Sequence, residues 1–229
     1  MLIKDWMAKN ILTVEENASL MRATRIMKEN NIRRLPVVAN GRLTGIITDR
    51  DVKDASPSKS TSQDIHELYY FLSEMKVSDV MTPDPIFLYG DDSLEKAALV
   101  MLESKISGLV VKDRQGALIG LVSETDVLRG FIHATGIKDG AIQYVLDLPD
   151  EPGSVTRVTT TIREQGLRLI SILTSFEDAP AGMKRVAIRV AGMTGSEVAR
   201  LTETLARDFT LVYQGEDELH DLPRKKANG

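Results

Sequence analysis

The chain has 229 residues, of which 42% are apolar and 27% charged, a composition typical of one or two globular domains with a sizeable core. The formal net charge of −4 gives no broad basic field, so we expect no nucleic-acid partner. The lack of cysteine excludes a disulfide scaffold, a thiol nucleophile and a zinc site with cysteine ligands.

The N-terminus MLIKDWMAKN carries charge and does not resemble a signal peptide. No stretch approaches the ~20 apolar residues that span a bilayer, so we expect no membrane partner and a cytoplasmic location. The three histidines His66, His133 and His220 are widely spaced, and we expect no metal site.

The first half of the chain contains an internal repeat. Asp5 and Met7 recur as Asp79 and Met81, at an offset of 74 residues. The second copy has one extra residue in the turn DRQG, after which the offset is 75. A single shift located in a turn is what a true duplication tolerates best.

Each copy predicts the order β-α-β-β-α. The segments NILTV and PIFL read as short strands, and LPVVA and GLVVK read as strands buried on both faces. The intervening helices carry apolar stripes, which comprise Leu20, Ala23 and Met27 in one copy and Leu94, Ala97, Ala98, Met101 and Leu102 in the other. Asp92 and Glu95 have the spacing of a capping box at the start of the second of these helices.

The predicted segments are repeat 1 at 1–55, a linker with a connecting helix at 56–75, repeat 2 at 76–133, a third unit at 139–215 and a flexible tail at 216–229. One repeat of ~50 residues could hardly bury enough apolar surface alone, so we expect the two repeats to pack on each other. The connecting helix should bury Ile65, Leu68, Tyr69 and Leu72.

Both repeats carry one short motif where a strand gives way to a helix. The strands GIIT and GLVS end at Thr48 and Ser123, and Asp51 and Asp126 follow three residues later. This spacing is typical of a capping box, which serves only the start of the helix. An ionised carboxylate can also accept both hydroxyls of a ribose, beside helix amides that favour phosphate. Both interpretations stay open, and neither excludes the other.

The repeated order of these motifs, including DVMT and LPVV, resembles the CBS domain, named for cystathionine β-synthase. Two copies over residues 1–133 would form a CBS pair, or Bateman module. The resemblance implies an α/β fold and regulatory clefts that bind AMP, ADP, ATP, S-adenosylmethionine or related dinucleotides, with no covalent cofactor. It implies ribose contacts from Thr48, Asp51, Ser123 and Asp126.

Phosphate groups would need positive charge near these corners. In similar modules the entrance of the strand after the first helix often supports the phosphates of the ligand held by the other repeat. Arg33 and Arg34 lie at that entrance in repeat 1, and Ser107 and Gly108 in repeat 2. Carried over, the arginines would serve a charged nucleotide at Asp126, unless they are ordinary solvated charges. The apolar floor for the base would come from Ile32 or Ile106, from Ile46 or Leu121, and from the strands at Ile11 and Ile86.

The last third of the chain predicts a ferredoxin-like β-α-β-β-α-β unit. Apolar residues alternate along AIQYVLDLP, as in a strand with one buried face. The helix after the Pro-Gly turn has Val155, Val158 and Ile162 on one stripe, and Thr194 and Glu197 have capping-box spacing at the next helix.

With PG opening its first helix and GLRLIS after it, this unit looks like an ACT domain. The resemblance implies amino-acid sensing at the loop residues Asp150, Pro152, Gly153 and Ser154, and dimerisation through sheets placed side by side. A purely structural dimerisation unit is the alternative. A CBS pair followed by an ACT domain is similar to bacterial acetoin-utilisation proteins of the AcuB type, a resemblance that establishes no reaction.

The sequence shows no nucleophile–base pair, no phosphate-binding glycine loop and no cluster of metal ligands, so we expect no catalytic residues and no enzyme. We predict a regulatory sensor that binds adenosine nucleotides and changes the activity of a partner protein. The alternative is a structural adaptor whose clefts stay empty. Both hypotheses predict a homodimer.

Overall fold

The computed structural model describes residues 1–56, 65–139, 142–220 and 222, and the side chains of these residues except 65–68. Most of the predicted linker, the side chains of Ile65, His66 and Leu68, and most of the predicted tail lie outside the described part. The contacts divide the chain into two units, Met1–Leu128 and Arg129–Gly229. Each unit is described by itself.

Repeat 1 has the predicted order of elements, which are β1 (Val14–Glu15), α1 (Leu20–Glu29), β2 (Arg34–Ala39), β3 (Arg42–Thr48) and α2 (Asp49–Ala55). Strand β1 is parallel to β2, and β2 is antiparallel to β3. The α1 residues Leu20, Ala23 and Met27 are buried, as their spacing predicts. The first strand is shorter than NILTV, since it begins only at Val14, and Ile11 precedes it.

After the connecting helix α3 (Ile65–Glu74) and the short strand β4 (Thr82–Pro83), repeat 2 also has the predicted order. Its elements are β5 (Phe87–Tyr89), α4 (Leu94–Ser104), β6 (Gly108–Lys112), β7 (Leu118–Ser123) and α5 (Glu124–Thr135). The predicted α4 stripe is right for Leu94, Ala97 and Met101 and wrong for Leu102, whose side chain is 74% exposed.

The predicted capping box at α4 is also wrong. Ser93 is the N-cap residue, and its hydroxyl accepts a hydrogen bond from the Lys96 N–H at 3.1 Å. The Asp92 carboxylate lies one residue too early for that role. It instead accepts a hydrogen bond from the Tyr89 N–H at 2.9 Å.

The predicted buried stripe of the connecting helix α3 is right for Leu72 and wrong for Tyr69. Leu72 belongs to the core of repeat 1, and Phe71 and Met75 pack against that core. Tyr69, which the sequence pattern places on the buried side, is 55% exposed. The stripe is therefore rotated towards Phe71 and Met75, which turns Tyr69 to the solvent.

The segment that leads into each repeat pairs with the other repeat. Strand β4 is antiparallel to β3, with Thr82 opposite Ile46. In the corresponding place Ala8 exchanges two hydrogen bonds with Leu121 of β7, with N···O distances of 2.8 and 3.1 Å. The predicted packing of the two repeats on each other is therefore observed, and each sheet is completed by a segment from the other half.

Two glycines make this exchange of segments sterically feasible. A Cβ on Gly45 would collide with the Met81 side chain, and a Cβ on Gly120 would collide with Met7. Both glycines occupy the same position in their repeats. The close approach of a methionine to the sheet therefore requires glycine twice.

The second unit folds in the predicted β-α-β-β-α-β order. Its elements are β8 (Ile142–Pro149), α6 (Ser154–Glu164), β9 (Arg168–Ser175), β10 (Met183–Ala191), α7 (Gly195–Asp208) and β11 (Thr210–Gly215). The antiparallel sheet has the order β11-β8-β10-β9. Tyr144, Leu146 and Leu148 on β8 are buried in its core. The predicted capping box between Thr194 and Glu197 is present.

Candidate functional site

The corner between β3 and α2 holds the first predicted ribose group. Asp51 Oδ2 accepts hydrogen bonds from the Thr48 N–H and the Thr48 hydroxyl, each at 2.7 Å. The Asp51 N–H donates to Thr48 Oγ1 at 3.3 Å. These three bonds form a complete capping box, so the motif does serve the start of the helix.

The corner between β7 and α5 repeats this geometry. Asp126 Oδ2 accepts from the Ser123 N–H at 2.9 Å and from the Ser123 hydroxyl at 2.6 Å. The Asp126 N–H donates to Ser123 Oγ at 3.3 Å. In each corner one carboxylate oxygen accepts both of these bonds.

A cavity of about 850 Å³ lies beside the Thr48–Asp51 corner, and we call it the Asp51 cleft. A volume of this size is typical of a small-molecule site. Seven of the predicted site residues line it, namely Arg33, Arg34, Ile46, Thr48, Asp51, Ile86 and Ile106. These seven residues comprise three apolar side chains from the two repeats, one threonine, one carboxylate and two guanidinium groups.

The other predicted site residues do not line this cavity. Ser123 and Asp126 form the second corner, and Leu121 beside them pairs with Ala8. Ile32 packs against the core of repeat 1, and Ile11 is half-buried ahead of β1. Of the residues expected to form a base floor, Ile46, Ile86 and Ile106 border the Asp51 cleft.

The expected division of the phosphate groups between the two corners differs from the observed lining of the Asp51 cleft. We expected both arginines to serve Asp126 and the Asp51 corner to meet only Ser107 and Gly108. All four of these residues line the Asp51 cleft. The cause lies in the strand register, since Arg34 is directly opposite Thr48 in the β2–β3 ladder and therefore starts beside the Asp51 corner.

Arg34 extends from its own strand towards repeat 2. Its Nη2 donates a hydrogen bond to Ser107 Oγ at 2.8 Å, and its guanidinium fills the space that Gly108 leaves by lacking a side chain. Burial lowers the pKa of Arg34, while the carboxylates of Asp49, Glu124 and Asp126 act in the opposite direction. A guanidinium stays protonated through such changes, so Arg34 is a permanent cation.

The sequence analysis missed several charged residues of the cleft. The cavity is lined by five cations, Arg33, Arg34, Arg50, Lys53 and Lys105, and by five carboxylates, Asp49, Asp51, Asp54, Asp84 and Glu124. Arg50 and Lys53 are within five residues of Thr48 on the helix that the corner starts. Their proximity to the motif could have identified them.

Lys105 has an unusual backbone for a lysine. It follows α4 with φ of 54°, in the left-handed region that favours glycine and asparagine. The equivalent residue of repeat 1 is Asn31, with φ of 52°. Of these two equivalent residues, Lys105 borders the Asp51 cleft and Asn31 does not. Lysine thus stands in the left-handed conformation, which suits asparagine better, at the position beside the cleft.

In the second unit the predicted ligand loop lies between β8 and α6. Gly153 has φ of 85° and precedes α6, and the Asp150 carboxylate accepts from Lys184 Nζ at 3.4 Å. A cavity of about 1,020 Å³ borders this loop, and Gly153 is the only one of the four predicted loop residues among those that line it. Thr156 and Arg157 on α6 and Arg207 on α7 also line it.

Ser154 is buried at the start of α6, whereas a ligand residue on an open loop would be exposed. It is 1% exposed and lies on the same α6 stripe as Val158 and Ile162. Its hydroxyl has no hydrogen-bond partner within the described part of the chain. This stripe faces the core of the second unit.

The described residues form neither a membrane span nor a metal centre. None of the described helices is both long and apolar enough to cross a bilayer. Across residues 1–56, 65–139 and 142–220, no group of three or more histidine, aspartate or glutamate side chains is arranged to hold a metal ion.

Comparison with known proteins gives matches over the repeats. The family model of the CBS domain matches residues 3–58 and 77–133. A CBS domain-containing protein of Dictyostelium discoideum is 36% identical over 128 residues, which are 56% of this chain and 88% of that protein. The homoserine O-acetyltransferase of Methanococcus vannielii is 34% identical over 127 residues. That match covers 55% of this chain and only 24% of the acetyltransferase.

A solved structure also covers this region. The CBS domain pair of protein MJ0100, crystallised with 5′-methylthioadenosine and S-adenosyl-L-methionine, is 30% identical and has a TM-score of 0.48. The match covers 57% of this chain and 95% of that one. From the two matched repeats and the Dictyostelium protein, of which it covers 88% at 36% identity, the chain belongs to the CBS domain family, as a tandem CBS pair.

Proposed function

We propose that the chain is a non-catalytic regulatory sensor that binds an adenosine nucleotide in the Asp51 cleft and changes the activity of a partner protein. AMP, ADP, ATP and S-adenosylmethionine are the candidate ligands. Asp126 and Ser123 would hold a second ribose in the equivalent corner. The cytoplasm, where these ligands are present, is the expected location.

The observation that carries this proposal is the combination of groups around one cavity. Ile46, Ile86 and Ile106 offer an apolar surface to a base, and Asp51 offers a carboxylate to ribose hydroxyls. Arg33 and Arg34 stand beside them as permanent cations for phosphate. The charged nucleotide is therefore expected at Asp51, and not at Asp126 as the sequence pattern suggested.

For the second unit we propose an ACT domain, which senses an amino acid at its first loop or serves dimerisation. The β9 strand supports the dimerisation role. It lies at the edge of the sheet, and Leu173 and Phe176 beside it are 50% and 62% exposed. An apolar edge strand invites pairing with another chain, and a second copy would protect it.

A structural adaptor with empty clefts is the second candidate. It is favoured by the capping boxes, since the hydrogen bonds of Asp51 and Asp126 to their own N-cap residues explain both carboxylates without a ligand. The two candidates differ in one observable, which is whether the folded chain binds a nucleotide.

The test is thermal unfolding of the full chain with adenosine, AMP, ADP, ATP, S-adenosylmethionine and a panel of amino acids. A ligand at a hundred times its dissociation constant should stabilise the folded state by ~2.7 kcal/mol. Each kcal/mol raises the midpoint by roughly 2–4 °C in a domain of this size. The same scan is run on Asp51→Asn and Asp126→Asn, which retain an oxygen for the helix cap.

A matched control is available in the second unit. Glu197 forms the same capping box with Thr194 but is not among the residues that line the Asp51 cleft, so Glu197→Gln should leave every nucleotide response unchanged. A nucleotide response that is lost in Asp51→Asn and kept in Glu197→Gln supports the sensor. If no adenosine compound moves the midpoint of the natural sequence, the sensor is rejected and the adaptor remains.

A further inference from the structure

Arg34 stands between the two ribose corners of the CBS pair. Its backbone is opposite Thr48 in repeat 1, and its guanidinium bonds to Ser107 in repeat 2. The Arg33 carbonyl accepts the N–H of Asp49 at 2.9 Å, and the Ser107 carbonyl accepts the N–H of Glu124 at 3.1 Å. The entrances of β2 and β6 are thus tied to the starts of the two corner helices in the same way.

The charges that act on Arg34 come from both corners. Asp49 belongs to the helix of the Asp51 corner, and Glu124 and Asp126 belong to the helix of the other. Arg33 is the cation that opposes them. Arg34 is therefore attracted from two sides, and a phosphate in either corner would compete for the same guanidinium.

Repeat 2 has no equivalent cation. The position equivalent to Arg34 is Gly108, and the absence of a side chain there gives the guanidinium its space. Any side chain at residue 108 would collide with Arg34. The pair of corners has one central arginine because there is room for one.

We propose that Arg34 is a phosphate-binding cation shared by both corners, so that the CBS pair holds one phosphate-bearing nucleotide at a time. This inference rests on the proposed function. A phosphate at the Asp51 corner draws Arg34 towards repeat 1 and away from the Asp126 corner. A nucleoside without phosphate makes no such demand and fills the two corners independently.

The experiment is titration calorimetry of the full chain with ATP and, separately, with adenosine. We expect one ATP for each chain, with any second ATP at least tenfold weaker, and adenosine with two dissociation constants that differ by less than threefold. In Arg34→Gly, which reproduces the residue of repeat 2, ATP should bind more weakly and its two dissociation constants should come within threefold of each other. Arg33→Gly removes the neighbouring cation of the cleft, so it should weaken ATP binding but keep the limit of one ATP.

A second variant moves the cation. Arg34→Gly combined with Gly108→Arg places the arginine on the other entrance, and it should restore the limit of one ATP. Adenosine binding and the unfolding midpoint show that each variant is folded. Two ATP molecules that bind the natural chain with equal affinity, or a count that stays at one in Arg34→Gly, would overturn the inference and leave the sensor intact. If neither ATP nor adenosine binds, the sensor and the inference both fail.

Discussion

The two CBS repeats share a backbone but present different side chains on it. Arg50 and Lys53 follow the Asp51 corner, whereas Thr125 and Leu128 are the equivalent residues after the Asp126 corner. The same contrast appears on the first helices, where Arg25 and Lys28 of α1 correspond to Leu99 and Leu102 of α4. Leu99, Leu102 and Leu128 are 55%, 74% and 59% exposed.

The difference shows that the two repeats still share the residues that packing requires and have diverged at exposed positions. Buried positions such as Leu20 and Leu94 match, and so do the glycines under the methionines. Exposed positions have diverged, with cations around one cleft and apolar surface on the other repeat. The comparison therefore separates groups that hold the fold from groups available for binding.

The largest effects should come from the features that the repeats share. Gly45→Ala and Gly120→Ala each place a Cβ against a methionine, and each should destabilise the chain by about 1–3 kcal/mol through overpacking. Since the two positions are equivalent, the two costs should be similar. Urea unfolding measures both.

A double substitution provides the control for this overpacking. Replacing Met81 by alanine removes the sulfur and Cγ that the new Cβ would meet and leaves the Thr82 carbonyl oxygen, so Gly45→Ala should cost less in Met81→Ala than in the natural sequence. Costs that simply add would mean that the methionine is not the obstacle.

The capping boxes should give the next largest effect. Asp51→Ala and Asp126→Ala each remove two accepted hydrogen bonds at a helix start and should each lower the free energy of unfolding by about 1 kcal/mol. Chemical unfolding without ligand measures this. Glu197→Ala, which breaks the third box, calibrates the cost of capping alone. A far smaller cost at Asp51 than at Asp126 would show that the corners are not equivalent as caps.

A smaller effect is expected where repeat 2 departs from repeat 1 at a left-handed residue. Lys105→Asn introduces the residue of repeat 1 and should stabilise the chain by about 0.5 kcal/mol, because asparagine adopts a positive φ more readily. It should also weaken ATP binding and spare adenosine binding, since it removes a cation from the cleft. Asn31→Lys is the reciprocal variant, and a gain in stability there would contradict the explanation.

The smallest effect on stability is expected on the exposed helices. Leu99→Arg with Leu102→Lys copies repeat 1 onto repeat 2 and should change the free energy of unfolding by less than about 0.5 kcal/mol for each residue. If this face joins two copies of the chain, sedimentation should show the dimer dissociating at a higher concentration than for the natural sequence. Phe176→Lys tests the β9 edge in the same assay. An unchanged dimer in both variants would exclude both faces.

Much of the fold could be predicted from the sequence because apolar periodicity follows burial closely. The stripe of α1 and the alternation in β8 identify their elements directly. The prediction failed where burial depends on a neighbour that is distant in sequence. Leu102 continues the period of α4, yet its side chain is 74% exposed and borders the Asp51 cleft, and Tyr69 lies just beyond the edge of its buried stripe.

The site was predicted less completely for a similar reason. The motif located Thr48 and Asp51, since a hydroxyl and a carboxylate at that spacing are local features. Which cleft the arginines border depends on strand pairing, which places Arg34 opposite Thr48. The irregularity between Val37 and Val38 shifts that pairing and cannot be read from apolar alternation. Lys105 carries no local pattern that marks it as a cleft residue.

The pairing of each leading segment with the other repeat also fixes when each sheet can be completed during synthesis. Strand β3 meets its outer partner only when Thr82 has been made, 34 residues after Thr48. At ordinary rates of translation this takes roughly 2–7 s. Ala8 can pair with β7 only later, after Leu121 has been added. The nascent first repeat thus presents an open strand edge to chaperones while the second half is being made, and neither sheet is completed without the other.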